Sequence, residues 1–323
     1  MAGLHTHLLA AGALLWLGAL PATAFDYPNR PITLIVAHGP GGPSDVIARV
    51  LGRLLTPILK QPIIVENRPG ASGNIAGESA AHANSDGYTL LLGNTSILAA
   101  NSRRGKDAAF DPQLDFTPIT LIGTQANALV VTPSFPVQSV LHLVEMARAK
   151  PGSVTYASAG HGSASHLAGE LFRAQARANL VHVPYKKPAP ALQDVVGGHV
   201  NMMFAPAAQV ANHVRHGRLR TLGLGSAARS DALPGIATLD ELGVAGFDAT
   251  TWYGLVAPVG TPREIVDLLY HSVGAALENP SPRRIMAGLG IDVVSSSPKA
   301  FEAYIATQIP KWSAVLKAIA YTH

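Results

Sequence analysis

The chain has 323 residues, 48% of them hydrophobic and only 14% charged, which allows a large core and excludes a disordered chain. Its net charge of +4 comes from scattered Lys and Arg, with pairs at Arg103-Arg104, Lys186-Lys187 and Arg283-Arg284. No basic stripe with interleaved aromatics appears, which argues against nucleic-acid binding, and the absence of Cys excludes disulfides, thiolate metal sites and a Cys nucleophile.

Residues 8–20 form a short apolar run followed by Pro21-Ala22-Thr23-Ala24, the small-x-small pattern of a secretory cleavage site. Residues 1–24 are therefore expected to be a signal peptide, although the segment before the run carries His5 and His7 in place of Lys or Arg. No later stretch reaches the roughly 18 apolar residues of a membrane span, so no stable membrane insertion is expected after cleavage. Ile32-Thr33-Leu34-Ile35-Val36-Ala37 reads as a strand, and Val46, Ile47, Val50, Leu51, Leu54, Leu55, Ile58 and Leu59 recur at helical spacing. Between them lies His38-Gly39-Pro40-Gly41-Gly42-Pro43-Ser44-Asp45. A strand running through a glycine turn into a helix directs backbone N–H groups and the positive end of the helix dipole at whatever fills the turn. Ser44 or Asp45 is expected to cap that helix. Ile63-Ile64-Val65 is a further strand, Glu66 to Gly70 a turn, 73–83 a helix and Tyr88 to Leu92 a strand, which together make a β-α-β-α-β pattern. Thr95 and Ser96 follow that last strand at the edge where open α/β sheets bind ligands, and they are candidate lining residues.

Residues 101–112 read as a surface loop, and 119–122 and 128–131 as extended segments leading into a second lobe. Val154 to Ser158 is a strand that runs into Ala159-Gly160-His161-Gly162-Ser163-Ala164-Ser165-His166 and then a helix. This repeats the first loop with hydroxyls added, since Ser158, Ser163 and Ser165 can bond an anion. Strands at 180–185 and 200–204 alternate with helices at 189–197 and 207–216, and 219–224 is expected to be the strand returning toward the first lobe. Residues 252–257 read as a strand and 262–277 as a helix with Pro262 in its first turn. A long terminal helix buries Phe301, Tyr304, Ile305, Ile309, Trp312, Val315, Leu316 and Ile319, with a kink expected at Pro310. The pattern predicts two α/β lobes joined by two crossing segments, with the strand-end loops facing one cleft.

Catalytic patterns are weak. No Gly-Lys-Ser/Thr follows the first loop, neither loop has dinucleotide spacing, and no G-x-S-x-G elbow is present. A secreted serine hydrolase built on Ser163 or Ser165 with His166 is the alternative kept open. Of the thirteen histidines, spacings such as His213/His216 or His161/His166 match no metal pattern. No catalytic residue, metal or cofactor is expected.

The segments Tyr27 to Ile32, Pro40 to Asp45, Val65 to Gly70, Asp86 to Leu91, Tyr156 to Gly160, Ser165 to Phe172, Val181 to Lys186 and Ala257 to Pro262 resemble, in order, the substrate-binding receptors of tripartite tricarboxylate transporters, the Bug-type receptors. The resemblance implies an α/β, two-lobed periplasmic-binding-protein fold, a Venus flytrap of type II-like build with two crossing hinge segments. Lobe 1 would comprise 25–124 and 235–323, and lobe 2 would comprise 125–234. It also implies a periplasmic, non-catalytic protein, monomeric, that hands a small organic carboxylate to membrane permease subunits, or else an orphan receptor feeding a signalling partner. The clamp would draw on Gly41, Gly42, Ser44 and Asp45 from one lobe and on Ser158, Gly162, Ser163, Ser165 and His166 from the other.

Some positions depart from the family pattern. His38-Gly39 stands where Phe-Pro or Pro-Pro is common, Lys187-Pro188 replaces a Gly-Ser or Gly-Thr pair, and Ala205, a further candidate lining residue, stands where Asp is frequent. Without a carboxylate at Ala205 the expected ligand is an organic acid lacking an ammonium group. Lys187 and His38, if they reach the pocket, would favour a second carboxylate or an aromatic acid.

Overall fold

A computed structural model describes residues 26–100 and 109–320. The expected signal peptide and most of the expected 101–112 loop lie outside the described residues. In chain order the first sheet collects β1 (Ile32–Val36), α1 (Pro43–Leu59), β2 (Ile63–Asn67), α2 (Asn74–Ala81), β3 (Thr89–Asn94) and β4 (Phe116–Gln125). The second collects β5 (Asn127–Val131), α3 (Val140–Ala149), β6 (Val154–Ser158), α4 (Ala164–Gln175), β7 (Leu180–Pro184), α5 (Pro188–Val196), β8 (Met202–Pro206), α6 (Ala207–Arg215) and β9 (Arg220–Leu224). The chain then returns with β10 (Thr251–Pro258), α7 (Arg263–Glu278), α8 (Pro280–Gly288), β11 (Ile291–Val293) and α9 (Pro298–Ala320). The sheets are ordered β11-β4-β10-β3-β1-β2 and β7-β6-β8-β5-β9, which gives two α/β lobes.

β1 is apolar on both faces because it is covered on both. Leu34 and Val36 pack with Ile47, Leu51 and Leu55 of α1, while Ile35 faces the cluster holding Leu91 and Ile97. β2 and β3 flank it in parallel register, and β10 then inserts antiparallel between β3 and β4. The same mixed build recurs in the second sheet, where β5 runs antiparallel to both β8 and β9.

Only Ala126 separates β4 from β5, so the first crossing is as short as a chain permits. Asn127, buried just past it, donates its side-chain amide to Ala249 O at 2.9 Å and to Thr251 Oγ1 at 3.0 Å, which lashes the outgoing segment to the returning one. Tyr253 on β10 donates to Gln125 Oε1 at 2.9 Å from the other side. α9 is shared by the lobes: its Phe301, Ile305, Ile309 and Trp312 join one apolar cluster with Leu121 and Trp252 of the first sheet and Leu129 and Phe204 of the second.

Several sequence expectations change. β9 is the edge strand of the second sheet, paired with β5, and the return to the first sheet begins only after it. Pro262 takes the N-cap position ahead of α7, since α7 starts at Arg263. Residues 119–122 are the middle of a ten-residue strand.

Gly254 in β10 is where Phe301 closes against the sheet, and a Cβ there would lie 2.1 Å from its ring. Replacing Gly254 with Ala should destabilise the protein by about 1–3 kcal/mol through overpacking, read as a lower urea midpoint. An unchanged midpoint would show that α9 does not seat on β10 in this way.

Candidate functional site

β1 enters α1 through His38 to Gly42. Gly41 sits at φ +87°, which glycine adopts without Cβ strain, and Gly42 is the extended N-cap residue. The expectation that Ser44 or Asp45 caps the helix is corrected. Pro43 suits the first helical position, which moves the cap back to Gly42 and places Ser44 and Asp45 inside the first turn. Asp45 folds its carboxylate back onto the loop, accepting from Gly41 N at 2.9 Å, Asn67 Nδ2 at 2.9 Å and Arg49 Nε at 3.0 and 3.1 Å. Asn67 also donates to His38 O at 2.8 Å. Burial alone would raise the Asp45 pKa, but these hydrogen bonds and the Arg49 charge outweigh it and hold the carboxyl below the usual aspartate range. The Gly41 amide is therefore occupied. The amides of Ser44 and Asp45, which have no intrahelical acceptor, are the ones this helix start offers to an anion. His38 is solvent-exposed but crowded by surrounding protein, and that desolvation lowers its pKa toward the neutral form.

The second loop is built the same way with more side chains. Ser158 is fully buried, its Oγ 2.6 Å from His182 Nε2 and accepting from Gly160 N at 3.0 Å. Ser165 Oγ accepts from Ala159 N at 3.0 Å, and Gly162 N donates to His166 Nδ1 at 3.2 Å. Ser163 caps α4, accepting from His166 N at 3.3 Å and donating to Gly160 O at 2.7 Å. Most of the candidate hydroxyls thus hold the loop, and the amides left at the helix start are those of Ala164 and Ser165. Beneath the loop, His182 stacks on Tyr156 with ring centroids 4.8 Å apart, and Tyr156 donates to Glu170 at 2.5 Å. Burial and that carboxylate push the Tyr156 hydroxyl well above its ordinary pKa.

The first lobe reaches the second loop through the segment after β2, where the sequence suggests a turn ending at Gly70 and a helix from Gly73. Gly70, Ala71, Ser72 and Gly73 are four consecutive residues with positive φ, unusual for Ala71 and Ser72, and they hold Ser72 so that it donates to His161 O at 2.6 Å. That bond joins the first lobe to the second-lobe loop. The glycines flanking Ala71 and Ser72 were the available signal.

Other candidates fall elsewhere. Asn94 accepts from Ser96 N at 3.0 Å and Ile97 N at 3.2 Å, capping a π-helical turn, and Thr95 accepts from Trp252 N at 3.0 Å. Both Thr95 and Ser96 are buried. The Ala205 methyl packs with Ala128, Ala157 and Val210 in the cluster of the second sheet. Lys187 is exposed at the N-cap of α5. A groove of about 480 Å³ opens between α1 and β2, lined among others by Val46, Arg49, Arg53 and Ile63, and it borders the first loop through Val46 and Arg49. Among the described residues, no helix is long and apolar enough to cross a membrane.

Residues 47–321 match the tripartite tricarboxylate transporter family receptor. The protein BugT of Bordetella pertussis is 36% identical over 300 residues, covering 93% of this chain and 92% of its own. Two solved structures are similar at a TM-score of 0.79, each covering 90% of this chain. One is Rpa4515 of R. palustris with adipate, 34% identical and covered over 98% of its length. The other is MatC of Rhodopseudomonas palustris with bound malate, 30% identical and covered over 99%.

Because the folded-state pKa of Asp45 is depressed, the stability it contributes is complete above the ordinary aspartate pKa of about 3.9 and is lost as pH falls through the lower folded value. Asp45→Asn should therefore lose less stability than the natural protein between about pH 5 and about pH 2 in urea titrations. Equal losses would contradict the carboxylate's role in holding the loop.

Proposed function

This chain belongs to the family of tripartite tricarboxylate transporter receptors, solute-binding proteins without catalytic activity, and we propose on that premise that it captures a small organic carboxylate in the periplasm and delivers it to the permease subunits of such a transporter. Residues 1–24 direct its export, and the mature chain acts as a monomer. Lobe 1 is 25–124 with 235–323, and lobe 2 is 125–234.

The observation that carries the reading is the pair of strand-to-helix loops on opposite lobes, the second of them tied to the first lobe by the bond from Ser72 to His161 O. Each loop satisfies most of its own amides with its own side chains, so the charge of a carboxylate falls to the first-turn amides of α1 and α4. Charge-assisted bonds to such donors are roughly twice as strong as neutral ones. Gly41, Gly42, Asp45, Ser158, Gly162, Ser163 and His166 act by shaping the two loops, and Ser44 and Ser165 add hydroxyls beside the ligand. Thr95 and Ser96 support the floor near the hinge. Adipate and malate in the relatives' structures support a linear organic acid as the ligand class.

The secreted-hydrolase alternative is set aside. The family is non-enzymatic, Ser163 is the cap of α4, and Ser165 accepts from Ala159 N. A close Ser–His contact exists at Ser158 and His182, but Ser158 has no exposed surface for a substrate to reach.

Isothermal titration of the mature protein with malate, adipate, citrate and aspartate tests the proposal. At least one of these acids should bind at one per chain. A folded protein that binds none of them would overturn it.

A further inference from the structure

Histidines 161, 166 and 182 are far apart in any sequence pattern for metals, yet the fold gathers them. His161 and His166 come from the loop before α4, and His182 comes from β7, the neighbour of β6 in the sheet. One ring nitrogen of each lies within 4.8 Å of those of the other two, and the centroids of His166 and His182 are 4.4 Å apart. We infer that these three histidines form a binding site for a divalent transition-metal ion of the zinc and cobalt class, built on the same second-lobe loop that serves the carboxylate clamp.

Three imidazoles without a carboxylate suit a borderline metal and not calcium or magnesium, which take oxygen ligands. Three protein ligands with a fourth position left open is an established arrangement for zinc. His182 Nε2 lies 2.6 Å from Ser158 Oγ, and in the tautomer that donates from Nε2 to this hydroxyl the ligand atom for the ion is Nδ1. His166 turns Nδ1 to the Gly162 amide at 3.2 Å, a long contact. To ligate through Nε2 the ring must carry its proton on Nδ1, so metal binding opens the Gly162 contact and shifts the loop. His161 is exposed and turns in as the third ligand. Ring nitrogens around a tetrahedral ion sit about 3.3 Å apart, given metal–nitrogen bonds of about 2.0–2.1 Å, so the cluster contracts by roughly 1–1.5 Å on loading. Gly160 and Gly162 beside His161, both at positive φ, give the loop that freedom.

The experiment is titration of untagged, chelator-treated mature protein with Co²⁺ alone, followed by visible absorption and by calorimetry. One equivalent should bind with the intense absorption of a four-coordinate cobalt site. His161→Ala should weaken that binding at least tenfold and remove the absorption, while His142→Ala, a change at an exposed histidine on α3, should leave both unchanged. No saturable binding to the natural protein, or the same binding in His161→Ala, would overturn the site. Circular dichroism of His161→Ala identifies loss of fold, and in that event His161→Gln, which keeps the side chain polar, must show the same loss of cobalt absorption.

Discussion

The buried amide of Asn127 sets the relation between the lobes. One residue after β4 the chain enters the second sheet, and that amide immediately ties it to the returning strand at Ala249 and Thr251. A buried side-chain amide cannot give up two hydrogen bonds without cost, so the two crossings move as one unit. α9 adds a second constraint, because its apolar face packs against residues from both sheets.

On that frame the loops solve the same problem twice. A strand that turns sharply into a helix exposes amides that must be satisfied or offered to a ligand. In the first loop Asp45 satisfies Gly41, and in the second Ser158, Ser165 and His166 satisfy Gly160, Ala159 and Gly162. What remains is confined to the first turns of α1 and α4. Under the proposed function, such a site recognises a carboxylate by charge and geometry with few side-chain contacts, which leaves specificity to residues beyond the clamp. Ser72 adds a contact between lobes, from a left-handed backbone conformation flanked by Gly70 and Gly73.

Much of this was legible in the sequence, and the limits have physical causes. β1, α1, β6 and α4 were readable because local periodicity and glycine turns set them. The antiparallel insertion of β10 between β3 and β4 was not, since pairing across some 130 residues leaves no local trace. The capping of α1 was misread because Asp45 looks like a cap residue, whereas Pro43 forces the cap to Gly42. The left-handed stretch of Ala71 and Ser72 was marked only by its flanking glycines, because neither residue type itself favours positive φ. The histidine cluster could not be found by spacing either, because His182 reaches it through parallel pairing of β6 with β7.

The most direct test of the central claim is a crystal structure of the protein with the carboxylate that binds best in solution. The account predicts a carboxylate group within hydrogen-bonding distance of first-turn amides of both α1 and α4, with Ser72 still joined to the His161 carbonyl. A ligand seated away from both helix starts, for example in the groove between α1 and β2, would contradict it.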